Sequence, residues 1–191
     1  MKQAAGLFIA LCWVVFFLFI IVSAFSVKRT VQVARVWRWS WLALIPGGAA
    51  FLFAHGWPLS ARSVGKPLWP FTPWVGAAAD LVSLIGVCIA LWGRVALGRN
   101  WNINPALKED HQLIQGGPYA YVRHPMYSGL CLMLLSTVLW FGNGIGWLFF
   151  AACFLGTWLK LRTEEMLLTM HFGDEYVRYK GRVKALVPYL L

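Results

Sequence analysis

The feature that most constrains this chain is the run from Ala4 to Val27, 24 residues with no charge and no proline. At about 1.5 Å per residue, such a run crosses the roughly 30 Å hydrocarbon core of a bilayer as one helix. A secretory signal core is shorter, about 7–15 residues, and follows a basic segment. The run is therefore expected to remain as a span. Four further apolar runs follow. Trp39–Ser60 is the second, with Pro46-Gly47-Gly48 expected to kink it. Trp74–Gly93 is the third, with Asp80 as its only charge; Ala79, Ser83, Gly86 and Ala90 form a small-residue face suited to a close helix contact. Pro125–Phe141 and Gly146–Leu161 flank Gly142-Asn143-Gly144. Both are near the lower limit of about 17 residues, so two crossings and a re-entrant or tilted hairpin are the alternatives there.

Composition agrees. The chain is 60% hydrophobic and 13% charged, against about a quarter charged in an ordinary soluble domain. That leaves too little polar surface to solvate a globule, which excludes a soluble enzyme, and the hydrophobicity excludes disorder. The net charge of +10 invites a nucleic-acid reading. Position argues against it, because the basic residues sit between bilayer-length apolar runs. With five spans, 14 of the 17 Lys and Arg fall on one side and three (Lys2, Arg62 and Lys66) on the other. The positive-inside rule then places the N-terminus outside and the C-terminus in the cytosol. Cys12, Cys88, Cys131 and Cys153 lie in apolar stretches without metal-ligand spacing, so buried free thiols are expected and no metal site.

Six of the seven acids lie beyond residue 108, in two segments on the cytosolic side that also hold His111, His124 and His171. Polar groups are costly near lipid, so their gathering at one leaflet marks a site. The first segment carries His111-Gln112-Leu113-Ile114, a Gly116-Gly117-Pro118-Tyr119 turn, and Arg123-His124-Pro125-Met126-Tyr127-Ser128-Gly129 entering the fourth span. Pro125 suits a first helical turn. Arg123 and His124 would stand at the positive helix end, open to an anion or serving as lipid anchor and cap. The second segment continues the fifth span. Arg162, Glu165 and Thr169 share one stripe, and Glu164 lies about 100° round from Glu165, so the two acids should serve different partners. An Arg162–Glu165 pair on a wetted face is the plainer alternative. The tail from Phe172 to Pro188 is basic, aromatic and amphipathic, as in segments lying on a membrane surface. Asp80 is too far from this cluster for chemistry and is expected to hydrogen-bond structurally.

These pieces, with Glu164-Glu165, Phe172-Gly173-Asp174-Glu175-Tyr176, Arg182 and Pro188, occur in an order that resembles the isoprenylcysteine carboxyl methyltransferase family, itself similar to the phospholipid methyltransferases. The resemblance covers about residues 97–190. It implies a membrane methyltransferase that uses S-adenosylmethionine without a Rossmann domain, and no glycine fingerprint after a strand is present. On that resemblance His111, Leu113, Ile114, Gly117 and Tyr119 line the cofactor pocket. His124, Pro125, Tyr127, Glu164 and Glu165 hold its remaining, mainly polar parts. Arg123 and Glu165 stand nearest the chemistry, and Arg162 and Arg182 contact an anionic part of the substrate.

The expectation is thus an all-α polytopic membrane protein of about five spans. The last two form a helical hairpin, and a cytosolic helical segment ends the chain. Residues 1–191 make one membrane-embedded domain: 1–93 hold three spans and 94–191 the cofactor-binding, catalytic half. The methyl acceptor is expected to be a lipophilic or amphipathic carboxylate or amine. An NADPH-dependent sterol-type reductase and a non-enzymatic scaffold or transporter are the rival readings. Five spans are few for the first, and one-sided polarity does not suit a transporter.

Overall fold

The computed structural model describes residues 1–27, 30–33, 67–101, 106–108 and 112–190. The second expected span, Trp39–Ser60, and His111 lie outside the described residues. Five helices are described: α1 (Lys2–Ala24), α2 (Pro73–Leu97), α3 (Pro125–Phe141), α4 (Gly144–Phe172) and α5 (Asp174–Arg182). Among the described residues, three helical stretches are long and apolar enough to cross a membrane: Lys2–Ala24, Pro73–Asn100 and Gly144–Phe172. Pro125–Phe141 is apolar but shorter.

Helix limits follow local chemistry. Thr72 Oγ1 accepts the Val75 N–H at 3.3 Å, and Pro73 occupies the first turn of α2. Pro125 does the same for α3, which ends at Gly142 in the left-handed conformation. Asn143 then caps α4, its Oδ1 accepting the Gly146 N–H at 2.8 Å. At 29 residues α4 is about 43 Å long. That is about 13 Å more than a hydrocarbon core, and the charged residues of the helix, Lys160, Arg162, Glu164 and Glu165, all lie in its C-terminal half. Asp174 and Glu175 open α5, and Lys180 and Arg182 close it, each matching the helix dipole.

Two short strands depart from the all-helical expectation. β1 (Thr30–Val33) pairs antiparallel with β2 (Ala106–Lys108). β1 follows α1 where hydropathy falls, and its TVQV sequence is β-branched at three of four positions. The partner is some 75 residues away, a distance over which local pattern carries no information.

The core is the crossing of α2 with α3. Gly76, Ala79, Ser83, Gly86, Ala90 and Gly93 are all buried, so the small-residue face does make a close helix contact. Gly93 meets Pro125 and Met126, and Gly86 meets Gly129 and Met133, so the helices run antiparallel. Cys12 and Phe16 of α1 complete the apolar cluster with Val87, Ala90 and Met133. The cysteines are all free. Cys12 alone is fully buried; Cys131 and Cys153 are half-buried and Cys88 is exposed, so burial of the thiols holds in full only for the first. Asp80 Oδ1 and Ser83 Oγ are buried with no hydrogen-bond partner among the described residues.

The two ends of the bundle differ sharply. At one, the Lys2 ammonium lies over the Phe71 and Trp140 rings, and Trp69 meets Trp147 edge to face. At the other, Arg94, only 3% exposed, donates to Ser23 O at 2.6 Å and Gly98 O at 2.8 Å. It thereby ties the C-terminal ends of α1 and α2 together, so those helices run parallel. Every candidate site residue described lies at this second end.

Candidate active site at the polar end of the bundle

The site is built on two helix ends and a returning strap. Gly116-Gly117-Pro118-Tyr119 forms a tight 3₁₀ turn, Gly117–Ala120, with Gly117 at φ +61°, a conformation that favours glycine. The turn rests on the end of α2, where the Tyr119 hydroxyl donates to Gly93 O at 3.3 Å. Above it, the Tyr179 hydroxyl of α5 donates to Tyr119 O at 2.6 Å. Burial pushes the Tyr179 phenol up to about 12 and raises those of Tyr119 and Tyr176 further, so all three remain neutral donors at physiological pH.

The start of α3 is covered by the chain's own C-terminal strap. Val122 and Lys184 form a parallel bridge. Arg123 N–H donates to Lys184 O at 2.8 Å, and His124 N–H to Ala185 O at 3.0 Å. Ser128 Oγ adds a bond to Leu186 O at 2.6 Å. The Arg123 and His124 amides thus bind peptide carbonyls here, so the expected anion seat on them is occupied. The Arg123 side chain is equally engaged. Its Nε donates to Glu165 Oε1 at 2.8 Å, its Nη2 to the same oxygen, and its Nη1 to Val183 O and, at 3.3 Å, Lys180 O. Only 8% exposed, Arg123 is a buried strut between α3, α4 and α5.

Glu165 is the electrostatic centre. Its carboxylate, 3% exposed as a residue, also meets Lys180 Nζ at 2.8 Å through Oε2 and lies 3.4 Å from His124 Nε2. That last separation is too long for a normal hydrogen bond, and His124 Nε2 is buried with no hydrogen-bond partner among the described residues. Glu164 faces elsewhere: its Oε2 accepts the Tyr127 hydroxyl at 2.9 Å. Tyr127 in turn stacks on His124, ring centroids 5.6 Å apart. The expected division between the two glutamates is therefore present. An Arg162–Glu165 ion pair is not; Arg162 stacks on Trp158, 4.8 Å from its ring centre.

A shallow cleft of about 250 Å³ opens beside Glu165, lined by Arg162, Glu165, Met166, Thr169, Met170 and Lys180. Arg123, His124, Pro125, Tyr127, Glu164, Glu165 and Arg162 are thus gathered at one end, with Tyr119 and Gly117 joined through Tyr179. Leu113 and Ile114 lead into the turn half-buried. Arg182 is not among the residues lining the cleft and donates to Gln115 Oε1 at 3.2 Å, while Gln115 Nε2 donates to Glu175. Sequence reasoning missed Lys180, Tyr179 and Ser128. Tyr176 and Tyr179, both buried and three residues apart on α5, were a readable signal of an inner face.

The phospholipid methyltransferase family model matches residues 74–175, just over half of the chain. A protein-S-isoprenylcysteine O-methyltransferase of Schizosaccharomyces pombe is 38% identical over 84 residues, covering 42% of this chain and 34% of that protein. The Rattus norvegicus protein of the same name is 31% identical over 123 residues, 61% of this chain and 42% of the relative. The Saccharomyces cerevisiae protein is 24% identical over 168 residues, 77% of this chain and 66% of the relative. The alignments with the first two thus span between a third and just over two fifths of those relatives' length. With the matched stretch running from the α2–α3 crossing through Glu164 and Glu165 to α5, the chain belongs to the phospholipid methyltransferase family.

Proposed function

We propose that this chain is a membrane methyltransferase moving a methyl group from S-adenosylmethionine to a lipophilic or amphipathic acceptor at the cytosolic leaflet. The observation that carries it is the Glu165 carboxylate, buried among cations in a residue that lines a cleft at the polar end of the bundle. The relatives named as isoprenylcysteine O-methyltransferases support the reaction class. Parallel α1 and α2, and the 14-to-3 division of basic residues, support five crossings with the site and C-terminus in the cytosol. In this reading α3 and α4 cross as a hairpin, and residues 94–191 form the catalytic half of one domain.

The residues present fit the cofactor. Positions for a side chain on Gly116 and Gly117 have nothing closer than 3.8 Å, leaving open space above the turn. His124 Nε2 and the Tyr176 hydroxyl are buried polar atoms with no hydrogen-bond partner among the described residues. Gly117, Tyr119, Leu113 and Ile114, with His111 before them, would flank the adenosine. Glu165, His124 and the Tyr127–Glu164 pair, with Pro125 fixing the helix start, would hold its polar groups. The sulfonium supplies an electrophilic methyl group for in-line displacement, so alignment and exclusion of water are what the protein must provide.

Arg123 positions rather than reacts: it fixes Glu165 from below and ties the strap over α3. Arg162, stacked on Trp158 at the rim of the cleft, is placed to meet an anionic group of the acceptor. Arg182 instead holds α5 to Gln115. A carboxylate acceptor is already ionised and needs no base. An amine acceptor does, and His124 Nε2 is the atom placed to take its proton.

The test is methyl transfer in proteoliposomes from tritium-labelled S-adenosylmethionine to a prenylated cysteine carboxylate or to an ethanolamine lipid. Label is expected in the lipid extract of one of these, base-labile if it is an ester and base-stable if it is an amine. No transfer to either, with no saturable cofactor binding, contradicts the proposal.

A further inference from the structure

Glu165 has two kinds of cationic neighbour. Arg123 is buried and bonded at every edge, to Glu165 on one side and to the carbonyls of Lys180 and Val183 on the other. It cannot leave without stranding four bonds. The Lys180 ammonium is different. Its side chain is 43% exposed, its one ion pair among the described residues is to Glu165 Oε2 at 2.8 Å, and it lines the cleft together with Glu165. A lysine carries its charge on a flexible four-carbon stem and can swing into solvent at little cost. Arg162, the other cation of the cleft, makes no ion pair with Glu165 and is held on Trp158.

We propose that Lys180 is a displaceable stand-in. Its ammonium pairs with Glu165 Oε2 and yields that oxygen to a cationic group of the incoming cofactor, the ammonium or the sulfonium. The inference rests on Glu165 being a cofactor contact, as proposed above. Two consequences follow from the geometry. Glu165 never stands as an uncompensated buried charge, which would be costly. The cofactor must also compete with an internal cation, so wild-type affinity is lower than the site could reach. Because α5 carries Lys180, displacement frees one of the contacts holding α5 against α4. The Gln115 contacts with Glu175 and Arg182, and the Tyr179–Tyr119 bond, keep the helix in place.

The experiment is equilibrium binding of labelled S-adenosylmethionine to the detergent-purified chain and to two variants. Lys180→Met removes the competitor while keeping stem volume, and is expected to bind about three- to fivefold more tightly, the scale of a half-exposed ion pair. Lys180→Arg keeps a competing cation and is expected to bind within twofold of wild type. Raising salt should narrow the gap between Met and wild type, because it weakens the internal pair. Equal or weaker binding by Lys180→Met, in protein whose thermal melt shows it folded, overturns the inference and leaves the proposed function standing. No saturable binding by the wild type overturns both.

Discussion

Replacing Gly129 by valine is expected to break the α2–α3 crossing and prevent recovery of folded protein. A Cβ at this position would lie 2.4 Å from Gly86 O, 2.6 Å from Ala90 N and 2.8 Å from Ala90 Cβ. Two of those are backbone atoms of a packed helix and cannot rotate away. The helices would have to separate, and with them Gly93, whose own Cβ position meets Pro125 and Met126 at 3.0–3.1 Å. Overpacking typically costs about 1–3 kcal/mol, and a backbone clash of this depth belongs at or beyond the upper end. Because Pro125 opens α3 beneath the site, the displacement would carry Arg123 and His124 with it. The readout is the monodisperse fraction and thermal midpoint in detergent. Gly156→Val is the matched control, since nothing lies within 4 Å of a Cβ there. It is expected to behave as wild type.

Arg123→Met has the second large effect. The substitution keeps much of the stem and removes a guanidinium with four bonds, two to Glu165 and two to carbonyls near the C-terminal strap. Lys180 remains beside Glu165, but Oε1 loses both strong donors and Val183 O loses its partner. Because Lys180 still compensates Glu165, the cost is expected to fall below the about 3–5 kcal/mol of a buried charge left wholly unpaired, and to include the lost bonds to the Lys180 and Val183 carbonyls. The loss should be local first, with α5 and the 183–186 strap loosening from α3. Limited proteolysis should therefore cut after residue 173 before the thermal midpoint of the remaining bundle is reached. Arg123→Lys keeps the charge without the two-pronged geometry and should fall between. A variant as protease-resistant as wild type would mean that Arg123 does not hold the strap.

These two sites show what the sequence does and does not reveal. The α2 face was readable because its residues are small at helical spacing, and a helix buries what such spacing aligns. Pro125, Gly142 and Asn143 were readable because each imposes or satisfies a local backbone condition. The separation of Glu164 from Glu165 was readable as well, being a consequence of 100° per residue. Arg123 was readable as important, but its use was not. Its partners include Val183 O, 60 residues away, and no pattern at either position announces that a strap of backbone will fill the helix end. The β1–β2 pairing and the Lys180 contact were hidden for the same reason, since each depends on which distant segments the helices bring together. Arg182, chosen for its charge and its place in the motif order, turns out to serve Gln115 on the outside of α5. Charge alone does not say which way a side chain on a nine-residue helix will face.

Central to the account is that Glu165 makes this end of the bundle a cofactor site, and equilibrium binding of labelled S-adenosylmethionine to wild type and Glu165→Gln tests it most directly. Glutamine keeps the shape and an acceptor oxygen but removes the charge, and the thermal melt reports whether the Arg123 contact still holds the fold. Saturable binding by wild type, weakened about tenfold or more in folded Glu165→Gln, is the predicted result, the scale of a lost charged contact at about 1.4 kcal/mol per tenfold. Absence of saturable binding by wild type, or equal binding by both proteins, would contradict it.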